Sequence, residues 1–400
     1  MVHARGQRGV MNTAEKPKAR SRGHVIHVGF IPLTDCAPLV VAAAKGFDRK
    51  HGIKLVLSRE SSWAAVRDKL LTGALDAAHA LYGLVYGVQM GIGGPRQDMN
   101  VLMTLNRNGQ AITLANRLHD LGVRSGADLA RHIAESNRRH TFAQTFPTGT
   151  HAMWLYYWLA SHGVHPFRDI NNVVVPPPQM AGHLAVGNLD GFCAGEPWNA
   201  LAIKERVGFT VATSQDIWPD HPEKVLACGR SFTESRPDQA RALVMAVLEA
   251  ARYLDTPQGR GEAAQLLAGP DFINVPVDLI EGRLHGQYQD GLGRAWQDNH
   301  AMRFFDDGQV NFPWLSDGMW FLTQHYRWGM LSGHPDYQAV ARQVNRVDLY
   351  REAAAQVSVA VPTSDMRGAL LMDGRMWDGS DAAAYAEGFE LHGNGYLEAA

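Results

Sequence analysis

One local pattern occurs twice in this chain and constrains its fold more than any other. Residues 70–78 read Leu-Leu-Thr-Gly-Ala-Leu-Asp-Ala-Ala, and residues 184–192 read Leu-Ala-Val-Gly-Asn-Leu-Asp-Gly-Phe. Each copy ends an apolar helix at a glycine, Gly73 or Gly187, turns through Leu-Asp and enters a short apolar strand. A glycine just past a helix adopts the left-handed conformation that terminates it without steric penalty. The same helix-to-strand unit built twice, about a hundred residues apart, implies two α/β lobes. Two similar lobes that face each other enclose a cleft.

The chain is long enough for this. Its 400 residues, 46% hydrophobic and 20% charged, have globular composition with room for two or three domains. A formal net charge of -2 gives no nucleic-acid surface. The three cysteines, Cys36, Cys193 and Cys228, lie far apart, form no CxxC pair and are odd in number. That pattern points away from a zinc site or a disulfide framework and fits a reducing compartment. Residues 1–22 are polar and basic, with Arg5, Arg8, Lys16, Lys18, Arg20 and Arg22, and read as a disordered leader. They lack the apolar core of a secretory signal, and no run in the chain reaches the length of a membrane span. These features predict a cytoplasmic protein.

The periodicity divides the chain further. Val25–Ile31 reads as a buried strand, Ser62 as the N-cap of a helix Trp63–Thr72, and Asp76–Leu81 as the strand after the first repeat. Thr150 precedes an apolar helix that Gly163 closes, and Ser214–Pro222 reads as a crossover back to the first lobe. We expect lobe 1 at 23–118 plus 225–360, lobe 2 at 119–224, and a Gly- and Asp-rich, loosely held tail at 361–400. Two α/β lobes joined by two crossings, with a helical C-terminal cap, are the architecture of a type II periplasmic-binding-protein-like fold, which closes on ligand by a hinge.

Several phrases then match one family. They include Val-Gly-Phe-Ile-Pro-Leu-Thr-Asp-Cys-Ala-Pro (28–38), Ser-Trp-Ala-Ala-Val-Arg-Asp (62–68) and Asn-Gly-Gln-Ala-Ile-Thr-Leu-Ala (108–115). Others are Thr-His-Ala-Met-Trp-Leu-Tyr-Tyr-Trp-Leu-Ala (150–160), Gly-Glu-Pro-Trp-Asn (195–199) and His-Pro-Glu-Lys-Val (221–225). Over about residues 25–360 the chain resembles the nitrate- and bicarbonate-binding receptors of cyanobacterial ABC importers (NrtA/CmpA-like). Without a signal peptide it looks most like their cytoplasmic relatives, the nitrate/nitrite sensors of NasS type.

The resemblance assigns ligand roles. Lys224 matches the lysine that pairs with nitrate, where the bicarbonate receptors have an acidic residue. A lysine attracts an anion and a carboxylate repels one; by spacing alone, a solvated hinge lysine reads the same. Gln110 offers an amide donor at a strand mouth, or is a turn glutamine. Trp63 offers an indole N–H at a helix start, beside the backbone N–H groups of Ala64 and Ala65, or is a core tryptophan. His151 donates from the opposite lobe, or caps its helix. Glu196 and Asp35 are expected behind these four, with Glu196 orienting Lys224 or His151, and Thr34 is a weaker candidate. Trp154, Tyr156, Tyr157 and Trp158 read as helix packing. Replacing Lys224 by glutamate is expected to abolish nitrate binding and leave the fold intact.

For function, the resemblance implies a sensor that holds an ANTAR-type RNA-binding antiterminator (NasT-like) and releases it when nitrate or nitrite closes the cleft. The alternative is the substrate-binding component of a nitrate ABC transporter. An enzyme is disfavoured, since the chain carries no GxSxG, HExxH or P-loop pattern. No cofactor, metal or direct nucleic-acid contact is expected.

Overall fold

The computed structural model describes residues 24–393, so the expected leader at 1–22 lies outside the described residues. Ten strands build two sheets. In chain order they are β1 (His24–Phe30), β2 (Ile53–Arg59), β3 (Ala77–Leu81), β4 (Met99–Thr104) and β5 (Gln110–Ala115). Then follow β6 (His140–Gln144), β7 (Ile170–Val174), β8 (Gly191–Gly195), β9 (Gly208–Thr213) and β10 (Lys224–Gly229). The first sheet has the order β2-β1-β3-β10-β4, and the second β7-β6-β8-β5-β9.

The two sheets repeat one topology. In each, four strands run in one direction, and the fifth lies antiparallel to them between the third strand and an edge strand. The antiparallel strand always arrives from the other sheet: β5 follows β4 through residues 105–109, and β10 follows β9 through residues 214–223. The strand β5 therefore stands in the second sheet, whereas the sequence reading kept residues up to 118 in lobe 1. Both strands flanking the first crossing are apolar, so their composition does not show which sheet each one joins.

The repeated Gly-Leu-Asp element leads into the third strand of each sheet, β3 and β8. Gly73 has φ 73° and Gly187 φ 80°, the left-handed geometry expected of them. Each repeat aspartate then clamps the parallel neighbour of that third strand, β1 or β6. Asp76 Oδ2 accepts from His27 N at 2.8 Å while Asp76 N donates to His27 O at 2.9 Å. Asp190 Oδ2 accepts from Thr141 N at 2.8 Å while Asp190 N donates to Thr141 O at 2.8 Å. An arginine faces each carboxylate, Arg236 at Asp76 and Arg138 at Asp190. The repeat exists because a strand entering a parallel sheet needs its first polar groups satisfied.

Helices cover the sheets. Ser62 Oγ caps the helix Trp63–Thr72 by accepting from Ala65 N at 3.1 Å. The amphipathic helix Pro237–Leu254 lays its apolar stripe, from Ala240 to Leu254, against the first lobe. The tail expected to be loose is instead packed as far as it is described. Trp377 is buried and donates through Nε1 to Ser316 O at 3.0 Å, and Tyr157 Oη donates to Asp373 Oδ1 at 2.9 Å. Met372 N donates to Ile217 O at 2.8 Å. The anchors Leu371, Trp377 and Phe389 sit singly between turns, so no periodicity announces them. Among the described residues, no helix is long and apolar enough to cross a membrane.

Candidate functional site

The parallel strands of both sheets point their carboxyl ends at one crevice, which is where open α/β sheets place ligands. Asp35 lies on the turn Thr34–Cys36 just after β1, and His79 lies in β3. Trp63 opens its helix, and Lys224 opens β10. From the second lobe come Gln110, the first residue of β5, and His151, near the start of the helix Thr150–Ser161. The structure thus gathers Trp63, Gln110, His151, Lys224 and Asp35 in one place.

Lys224 is the centre. Its Nζ lies 2.9 Å from Asp35 Oδ2, 2.5 Å from Glu223 Oε1 and 3.4 Å from His151 Nε2, and all four side chains are fully buried. His79 Nε2 meets Asp35 Oδ1 at 2.7 Å. The Trp63 ring lies against His79 with centroids 5.4 Å apart, and the Lys224 ammonium stands 5.7 Å from that ring. Gln110 Nε2 reaches Asp35 Oδ2 at 3.5 Å. His151 Nδ1 contacts Thr145 Oγ1 at 2.6 Å, and Trp154 Nε1 donates to Glu223 Oε2 at 3.1 Å.

Burial works against every charge here, and the partners decide which survive. It would raise the Asp35 carboxyl, but Lys224 and His79 outweigh it and hold that carboxyl well below the usual range. It would strip the Lys224 proton, but Asp35 and Glu223 outweigh it and keep the ammonium charged. Glu223 is pushed up to about 7 by burial, with Asp35 adding to the effect against Lys224. His151 is driven well down by burial and then by Lys224.

Polar atoms remain unspent around this cluster. Trp63 Nε1, Gln110 Oε1 and Thr34 Oγ1 are buried without a hydrogen-bond partner among the described residues. Buried polar groups are normally paired, so an indole donor and an amide beside a buried ammonium mark a place built to meet a small polar molecule. Of the two backbone N–H groups expected beside Trp63, that of Ala65 is taken by Ser62.

Glu196 is elsewhere. Its Oε1 accepts from Arg283 Nε at 3.0 Å and its Oε2 from Ala200 N at 3.1 Å, so it orients neither Lys224 nor His151. Its backbone and the nearby Trp198 side chain join the lobes instead: Thr34 N donates to Glu196 O at 2.8 Å, and Trp198 Nε1 to Pro32 O at 2.9 Å. The residue type suggested a polar role, and its apolar neighbours hid the arginine, which comes from the helix Val277–Leu284. The residues that sequence reasoning missed are Glu223, His79 and Thr145. Glu223 was visible inside the His-Pro-Glu-Lys phrase, and His79 as the one polar residue of the apolar strand Ala77–Leu81. Among the described residues, no group of three or more His, Cys, Asp or Glu is arranged to hold a metal ion.

Residues 20–268 match the NMT1-like family. The nitrate/nitrite binding protein NrtA of Synechocystis sp. strain PCC 6803 is 36% identical over 376 residues, covering 91% of this chain and 84% of that one. The nitrate import ATP-binding protein NrtC of the same organism is 37% identical over 370 residues, 92% of this chain, but the match spans only 55% of NrtC. The crystal structure of the periplasmic nitrate-binding protein NrtA from Synechocystis PCC 6803 superposes with a TM-score of 0.88 at 35% identity, covering 92% of this chain and 99% of that one. The α/β two-lobed fold expected from the repeats is the fold of that protein. The chain therefore belongs to the NMT1-like family and is a relative of the NrtA nitrate/nitrite-binding proteins.

Proposed function

We propose that this chain is a binding protein for nitrate or nitrite, and that it serves as the receptor of an import system. The observation that carries the reading is Lys224, a fully buried ammonium set among the unpaired Trp63 indole N–H and the Gln110 amide. A planar oxyanion needs one fixed positive charge, neutral donors and an aromatic wall that excludes water. Lys224, Gln110, Trp63 and His151 supply these from both lobes, so the anion would bridge the lobes and favour the closed form. The role is capture and release without turnover.

The relatives carry names from nitrate import. They favour a receptor over the antiterminator-holding sensor expected from the sequence. Where the protein works follows from its partner: an import permease places it outside the inner membrane, an ANTAR-type regulator in the cytoplasm. Calorimetric titration with nitrate, nitrite and bicarbonate tests the ligand. Tight binding of nitrate or nitrite without a bicarbonate signal supports the reading; bicarbonate binding alone, or no binding by any of the three, removes it.

A further inference from the structure

We infer that the anion enters this site together with one proton, and that Glu223 and His151 hold that proton beside Lys224. The inference rests on the nitrate or nitrite reading and specifies how the site accepts a negative charge.

The hydrogen-bond partners assign the protons around the cluster. Ile31 N donates toward His79 Nδ1 at 3.5 Å, so Nδ1 is an acceptor, and the proton on Nε2 goes to Asp35. His151 Nε2 faces the Lys224 ammonium, which only donates, so Nε2 carries a lone pair and the proton sits on Nδ1 toward Thr145. His221 Nδ1 donates to Pro222 O at 3.1 Å, and its Nε2 lies 2.7 Å from the Ser214 hydroxyl. Burial holds all three histidines below their usual range, His221 at about 3, so each is neutral at pH 8. At pH 8, above the value of about 7 to which burial brings Glu223, Lys224 carries one positive charge and Asp35 and Glu223 carry one negative charge each. The cluster is net negative by one, with every member fully buried.

An anion added to that arrangement meets two obstacles. The first is charge: a second net negative charge would sit where water is excluded, and burying unpaired charge is heavily disfavoured. The second is hydrogen bonding. Nitrate oxygens only accept, and the His151 Nε2 lone pair and the Glu223 carboxylate only accept as well. One proton on the pair His151 Nε2 and Glu223 Oε1, which stand 3.6 Å apart, removes both obstacles. It restores the original net charge and turns an acceptor into a donor.

The other neighbours do not take that proton. Both Asp35 oxygens already have donors, from His79 on one side and from Lys224 and Gln110 on the other. The Cys193 thiol, from β8, is kept protonated by burial and then by Glu223. Trp154, from the helix Thr150–Ser161, donates to Glu223 Oε2 and has no acceptor to offer. Burial already brings Glu223 up to about 7, so an arriving anion has little further to raise it. A dianion such as sulfate would require a second proton on His151 or on His221, 3.9 Å from Glu223, and burial holds both imidazoles well below their usual range. The same pair thus makes the site selective for monoanions.

The test is calorimetry of the full chain with nitrate at pH 8 in buffers of different ionisation enthalpy, repeated from pH 6 to 9. We expect an uptake approaching one proton per nitrate at pH 8, affinity falling about tenfold per pH unit above neutrality, and no sulfate binding. Glu223→Gln is expected to lose the uptake and to flatten the pH profile. Tight wild-type nitrate binding with no proton uptake overturns the inference and leaves the nitrate reading standing. Failure to bind nitrate or nitrite anywhere from pH 6 to 9 overturns the reading and the inference with it. The wild-type proton count decides without the variant, and unchanged uptake in Glu223→Gln overturns the part assigned to Glu223.

Discussion

Lys224 Nζ stands 2.9 Å from Asp35 Oδ2 with both side chains fully buried, so the cation proposed to meet the anion also holds the fold's buried carboxylates in place. Removing Lys224 leaves Asp35 and Glu223 uncompensated. Breaking one partner of a buried pair costs about 3–5 kcal/mol. Lys224→Met is therefore expected to lower the melting temperature as well as to abolish nitrate binding. The charge reversal Lys224→Glu, which the sequence alone suggested would spare the fold, puts three carboxylates together and is expected to be worse. The double variant Lys224→Met/Asp35→Asn should regain part of the lost stability and none of the binding. Thermal unfolding and calorimetry on the three variants check this; a single Lys224→Met variant as stable as wild type would contradict it.

Gly195 is the last residue of β8 and borders the same cluster. A Cβ placed there would lie 3.2 Å from Gln110 Oε1 and 3.5 Å from Asp35 Oδ2. Neither contact, nor that with Leu33 Cδ2 at 3.1 Å, is a hard clash, since each is to a side-chain end, so Gly195→Ala is expected to fold. The methyl group would occupy space beside the Gln110 amide where the anion is proposed to sit, and a loss of roughly tenfold in affinity, about 1.4 kcal/mol, is expected from so small a displacement. Calorimetry at one pH reads it, and unchanged affinity would place the ligand elsewhere in the cleft.

Much of this arrangement was legible in the sequence, for a physical reason. Gly73, Gly187, Asp76 and Asp190 satisfy local rules of helix ending and strand entry, and local rules leave local signatures. Lys224, Gln110, Trp63 and His151 were reachable because each sits inside a recognisable phrase. The placement of β5 and the partner of Glu196 were not legible. Both depend on pairing across long sequence separations, between β5 and β8 and between Glu196 and Arg283, and neither strand nor side chain carries a mark of its distant partner. The packing of the tail from 361 leaves no mark in the sequence because isolated anchors such as Trp377 generate no period.

Gly83 shows how close the lobes approach. A Cβ there would lie 2.2 Å from the carbonyl oxygen of Thr148, a backbone atom that cannot swing aside. A Cβ on Gly87, one turn on in the same helix, Tyr82–Met90, would lie 2.5 Å from Thr148 Oγ1. These glycines let a helix of the first lobe rest on the loop that precedes His151. Gly83→Ala is expected to force the two apart at a cost of about 1–3 kcal/mol. It should lower both the melting temperature and nitrate affinity, because His151 moves with that loop. Small-angle scattering with and without nitrate would show a wider molecule; a variant identical to wild type in stability and affinity would contradict this packing.

Acid should destabilise the protein well above the range of ordinary carboxylates. His79, His140, His151, His221 and His325 are fully buried, and burial drives all five below the usual histidine value, His140 and His325 to about 4 and His221 to about 3. Unfolded histidines protonate near pH 6.5. Between there and about pH 4 the unfolded chain binds protons that the folded one refuses, so stability falls as pH falls. Glu196, Glu223 and Asp317 act in the opposite sense, because burial raises all three and the folded form binds their protons first. Five groups oppose three, so a net loss remains, and the melting temperature is expected to drop by several degrees per pH unit below about 6.5. Thermal unfolding from pH 8 to pH 5 at fixed ionic strength measures it. A melting temperature that stays level between pH 6.5 and pH 5 would mean that the buried histidines admit protons in the folded state, and with them the water that this site is built to exclude.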